Sequence, residues 1–153
     1  MQFEKIIENI RGAEGPAVDA EGHVLMVCPN KGQVLWIRDG TATELANTGG
    51  VPAGLQVDVK GRVWIADMKR GILRLEKDRK LTPIVTEFEG KPVRGCNDLS
   101  LDGLGRLYFT APAGSDGTKL FGEVFWRTEK GAVERFDQGL AFPNGIAVAP
   151  GRI

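Results

Sequence analysis

The stretch AGLQVDVKGRVWIADMKRGILRLEKDRKLTPIVT, Ala53 to Thr86, decides the fold. It holds four short runs, AGLQVD, RVWIAD, GILRL and LTPIVT, divided by turns that carry glycine or, in KDRK, clustered charge. Each run is rich in β-branched or aliphatic residues, and none keeps a 3.6-residue period long enough for a helix, so four antiparallel strands are expected.

Working outward, the opening pair of runs recurs. EGPAVDAEGHVLMV begins at Glu14, NDLSLDGLGRLYFT at Asn97 and NGIAVAPGRI at Asn144. The glycines that close the internal turn, Gly22, Gly61, Gly105 and Gly151, are 39, 44 and 46 residues apart. The later strands recur too, as QVLWIR and TATEL in the first unit and as EVFWR and AVERF in the third. Four short strands per unit at this period predict the blades of an all-β propeller, at residues 13–52, 53–96 and 97–143, with a further unit starting over 144–153. Three blades and an opening hairpin cannot close a ring, and the fourth unit stops just after its turn, so the expectation is a truncated propeller.

Composition narrows the function. Twenty Lys and Arg balance twenty Asp and Glu, which argues against nucleic acid or an anionic membrane as an obligate partner. The N-terminus MQFEKIIENIRG is broken by charges and lacks the apolar run of a signal peptide. Cys28 and Cys96 read as reduced buried thiols, so the cytoplasm is the expected location.

The repeat register points to a site. Aligned on the end of the first strand, Asp19, Asp58, Asp102 and Ala149 are equivalent, and five residues upstream lie Glu14, Ala53, Asn97 and Asn144. First strands of propeller blades line the channel, so residues at their start converge on one mouth. Three of these four positions are oxygen donors, which suits a hard cation such as Ca2+. Zinc would call for His or Cys, and the one histidine, His23, lies on the outward part of a hairpin. Taken singly, Glu14 reads as a solvated loop acid and Asn97 and Asn144 as turn formers; their common register is what favours a metal.

The motifs GAEGP (12–16), GGVPAGLQVD (49–58), IADM (65–68), GCNDLSLDGLGRLYFTAPAG (95–114) and FPNGIAV (142–148) carry a resemblance over essentially the whole chain. It resembles the calcium-dependent six-bladed propeller hydrolases that include gluconolactonase, the senescence marker protein and, nearest in its motifs, diisopropylfluorophosphatase. The resemblance implies a calcium ion held by a glutamate, two asparagines and an aspartate, of which the first three match Glu14, Asn97 and Asn144. It implies a pocket wall at Val51, Gln56, Met68 and Phe142, although Met68 and Phe142 would otherwise read as ordinary core. The aspartate proposed as nucleophile or base belongs to a later blade, beyond Ile153, so no catalytic residue is assigned; a supporting part suits Asp98 better. The link SDGTKL after TAPAG is shorter than in diisopropylfluorophosphatase, which weakens substrate transfer from that enzyme.

The function expected of an intact, monomeric parent is hydrolysis of small esters, lactones or phosphotriesters. The alternative is a non-catalytic propeller serving as an interaction scaffold. This chain alone is expected to be unstable and inactive, and ring closure by two copies is disfavoured by its ending inside a blade.

Overall fold

The computed structural model describes residues 2–149. Three four-stranded antiparallel sheets follow one another, each a meander in chain order. The first holds β1 (Glu14–Val18), β2 (Val24–Cys28), β3 (Gln33–Arg38) and β4 (Thr41–Asn47). The second holds β5 (Pro52–Val57), β6 (Val63–Asp67), β7 (Gly71–Leu75) and β8 (Leu81–Val85). A two-stranded ribbon, β9 (Glu87–Phe88) and β10 (Lys91–Pro92), precedes the third sheet of β11 (Leu99–Leu101), β12 (Leu107–Ala111), β13 (Gly122–Arg127) and β14 (Val133–Leu140). No helix among the described residues is long and apolar enough to cross a membrane.

The sheets pack face to face as consecutive blades, and strand alternation decides which neighbour each side chain meets. In β6, Val63 and Ile65 join Leu25, Val27 and Val34 in one core, while Trp64 and Ala66 join Leu107, Phe109 and Phe125 in the other. The middle sheet is therefore apolar on both faces, which is why RVWIAD shows little alternation. The outermost strand β14 is largely exposed.

One feature of each hairpin is written in the repeat. Between the first two strands of every blade the chain reads Asp-x-x-Gly followed by His23, Arg62 or Arg106. Asp58 Oδ1 accepts the N–H groups of Lys60 (2.9 Å) and Arg62 (3.0 Å), and its Oδ2 accepts Arg62 Nε (2.7 Å) and the Trp64 indole (3.0 Å). Asp102 closes its turn on Leu104, Arg106 and the Arg106 guanidinium, and Asp19 on Glu21, His23 and the Trp36 indole. Burial alone would raise these carboxyls, but the hydrogen bonds outweigh it: all three are lowered, Asp58 to about 2.

The fourth unit differs from the expected hairpin. Residues 144–149 form no strand, and Gly151 with the rest of 150–153 lies outside the described residues. The segment 144–149 makes no ladder with a neighbouring strand. Instead it lies against the third sheet through side chains: the Ile146 N–H donates to Asp98 Oδ2 (2.9 Å) and the Val148 N–H to Ser100 Oγ (3.2 Å).

Candidate metal centre

The first strands begin side by side. A Cβ on Gly15 would lie 2.5 Å from the Ala53 carbonyl, and one on Gly54 would lie 2.7 Å from the Asn97 carbonyl and 2.7 Å from Asp98 Oδ1. Only glycine permits this approach, and Gly15 also has a positive φ of 56°. Next along, Asp98 Oδ2 takes the Ile146 N–H, and the Asn144 carbonyl accepts the Thr110 hydroxyl at 2.6 Å. Positions 14, 53, 97 and 144 thus form one row, each next to its neighbour. Both β1 and β5 carry a register shift at their start, which re-aims the first residues away from the regular pleat.

Within this row the donor side chains are uncommitted. Among the described residues, the Glu14 carboxylate and the Asn97 and Asn144 carboxamides make no hydrogen bond or salt bridge. Glu14 and Asn144 are exposed and Asn97 half-buried. One carboxylate with amide oxygens is the donor chemistry of a calcium site, so the residues present fit that ion. Asp98 sits in the same row, its Oδ2 taken by the Ile146 N–H and its Oδ1 close to Gly54.

A second acidic group, Asp19, Glu21 and His23, lies at the other end of β1 with its ligand atoms within 4.8 Å. Asp19 is already occupied there by two backbone N–H groups, the Trp36 indole and the His23 ring at 3.1 Å. This cluster closes a turn.

The wall positions suggested by the sequence fall on the loops and strand around the row. The Val51 N–H donates to Asp67 Oδ1 (3.0 Å), and the Val51 carbonyl accepts the Met68 N–H (2.8 Å). The Met68 carbonyl in turn accepts the Gly95 N–H (2.7 Å), two residues before Asn97. Phe142 is 43% exposed, has φ of 46° and donates its N–H to the buried Ser115 Oγ at 3.0 Å. A left-handed conformation is costly for an aromatic residue and is held by its surroundings. Gln56 lies in β5, and its side-chain oxygen accepts the Leu101 N–H (2.6 Å), so that atom ties the second blade to the third.

Several supporting residues were not singled out by the sequence. Asp67 is fully buried and also accepts the N–H groups of Lys69 and Arg70, leaving Oδ2 without a partner among the described residues. Burial, with the Asp67 charge nearby, pushes the Cys96 thiol up to about 12. Asp67, Thr110 and Ser115 each sit in a run that reads as ordinary strand or turn. The recurrence of Asp-x-x-Gly-His/Arg was the one local signal available, and it marks the hairpin ends.

A family model described as the SMP-30/gluconolactonase/LRE-like region matches residues 12–152. The diisopropyl-fluorophosphatase of Loligo vulgaris is 36% identical, covering 95% of this chain and 54% of the relative. A gluconolactonase of Zymomonas mobilis is 26% identical, covering 97% of this chain and 49% of its own length. Among solved structures, a gluconolactonase of Xanthomonas campestris superimposes with a TM-score of 0.73 at 24% identity, over 82% of this chain and 47% of that one. The chain spans about half the length of the relatives it matches.

Proposed function

This chain belongs to the SMP-30/gluconolactonase/LRE-like family, and on that premise we propose that its whole protein is a calcium-dependent hydrolase of small esters, lactones or phosphotriesters. The observation that carries the reading is the row of free oxygen donors. Glu14 at the start of β1, Asn97 just before β11 and Asn144 in the segment beside it have unengaged side chains, while Asp98 accepts the Ile146 N–H through Oδ2. In a protein whose hairpin aspartates Asp19, Asp58 and Asp102 each gather several hydrogen bonds, three open donors in one register are suited to a ligand.

Glu14, Asn97 and Asn144 would hold the ion. Bound calcium would polarise a carbonyl or phosphoryl oxygen as a Lewis acid. Val51, Met68 and Phe142 would supply an apolar wall that positions a small substrate and excludes water, with Gln56 contributing its free amide nitrogen. By family resemblance the nucleophile or general base is an aspartate of a later blade, so no residue from 1 to 153 is given that role. We assign the blades to 13–52, 53–96 and 97–143, with a fourth beginning at 144. The two thiols, both buried, suit a reducing compartment such as the cytoplasm.

The test is hydrolysis of aldonolactones and a phosphotriester by the whole protein, with and without a calcium chelator. Turnover abolished by chelation and restored by Ca2+ is expected. Activity indifferent to chelation would overturn the calcium reading, and no activity with no heat of calcium binding would favour a non-catalytic scaffold.

A further inference from the structure

Thr110 occupies a position that is apolar in the other two blades. Its equivalents in β2 and β6 are Val27 and Ala66, both fully buried in the cores between blades. Thr110 is 2% exposed, yet it carries a hydroxyl. Across the hairpin the register sets Glu14 opposite Val27 and Gly54 opposite Ala66, while Thr110 binds the backbone of Asp98.

The hydroxyl is engaged on both sides. It accepts the Asp98 N–H at 3.1 Å, and the Asn144 carbonyl lies 2.6 Å away; the Asp98 carbonyl is at 3.5 Å. A hydroxyl has one proton, and distance assigns it to Asn144. The Thr110 backbone binds Asn97 and Asp98, its carbonyl accepting the Asn97 N–H (3.0 Å) and its N–H donating to the Asp98 carbonyl (3.0 Å). One residue therefore grips the backbone at both Asn97 and Asn144, which belong to different blade units.

We infer that Thr110 is a positioning residue that sets the spacing between the Asn97 and Asn144 donors, and so tunes the affinity of the cation site. The inference rests on the calcium reading above. A metal site depends on outer residues that orient its ligands, and losing one typically costs ~10–100-fold in affinity. The alternative is that Thr110 merely satisfies a buried carbonyl.

Calcium titration by calorimetry on the whole protein separates these. Thr110→Val keeps shape and burial but removes the hydroxyl, and an affinity loss of about tenfold or more is expected. Thr110→Ser is expected to restore wild-type affinity. Ser100→Ala, which removes the neighbouring bond to Val148, controls for loosening of the same face and is expected to bind calcium as wild type does. Equal calcium affinity in wild type and Thr110→Val overturns the inference while leaving the metal site standing, as does an equal loss in Ser100→Ala. If the wild type binds no calcium, the metal reading itself fails and takes this inference with it. Amide exchange at Asn144–Ile146 without calcium gives a further readout: unchanged protection in Thr110→Val would also overturn the clamp.

Discussion

At the end of β1 that turns into β2, Asp19 gathers two backbone N–H groups, the His23 ring and the Trp36 indole. At the other end of the same short strand, the Glu14 carboxylate makes no hydrogen bond or salt bridge among the described residues. The third blade repeats the contrast, with Asp102 saturated at its hairpin while Asn97 just before β11 leaves its carboxamide free; the second has Asp58 saturated but only Ala53 at the donor position. One end of each blade is built to hold its turn, and in the first and third the other end leaves an oxygen donor open, as the proposed cation site requires. A carboxylate whose lone pairs are filled by N–H donors contributes stability but has nothing left for a cation. An open donor contributes little to folding and keeps its affinity for the ion.

The sharpest way to break this contrast is at the hairpin end. Asp58→Ala strands the Trp64 and Arg62 donors in a largely buried setting and is expected to cost about 3 kcal/mol, measured by urea unfolding. Calcium affinity of the molecules that remain folded should be unchanged. At the opposite end, Glu14→Gln removes the one carboxylate among the three candidate donors of residues 1–153. A loss of ~100-fold in calcium affinity is expected by calorimetry, with no change in the unfolding midpoint of the calcium-free protein. Should Glu14→Gln destabilise the calcium-free protein as Asp58→Ala does, the division between the two ends would not hold.

Acid supplies the next test. The folded-state carboxyls of Asp19, Asp58 and Asp102 are lowered, so the stability they supply is fully present above about pH 4, the ordinary carboxylate value. It is lost as pH falls through the folded values, which for Asp58 means toward about 2. Urea unfolding at pH 7, 4 and 2.5 should show the loss beginning only below pH 4, with Asp58 accounting for about 2 kcal/mol of it. In Asp58→Asn, which does not titrate, that share of the slope should vanish.

The smallest effect belongs to the rim. Arg135 lies over the Phe88 ring at 5.0 Å, pairs with Glu123 at 2.7 Å and approaches Glu89 at 3.7 Å, fastening the β9–β10 ribbon to the outer strands of the third sheet. Its ion pairs are partly exposed, so Arg135→Met should cost no more than about 1 kcal/mol by thermal unfolding. Neither hairpins nor donors should respond.

Much of this was legible beforehand. Short strands at a period near forty residues identified the blades because hairpins are local, and their turn residues carry their own backbone requirements. The donor row was legible as a register for the same reason: equivalent repeat positions occupy equivalent places. The β9–β10 ribbon was not foreseen, since two two-residue strands leave no pattern. The fourth-unit hairpin was expected but is not formed over 144–149, because a strand needs a partner that local sequence cannot supply.

By itself, then, the sequence determined the strand content, the blade repeat and the family, and it marked three positions of one register as candidate donors, all of which depend on short-range pattern. Tertiary structure decided which polar groups are already used. Asp98 and Asn97 are neighbours in the chain, yet Ile146, forty-eight residues from Asp98, occupies one carboxylate oxygen while the Asn97 carboxamide stays open. Thr110 likewise gains its reach to Asn144 from thirty-four residues away. Hydrogen bonds across blades depend on distances that exist only after the sheets have packed, and no local spacing encodes them.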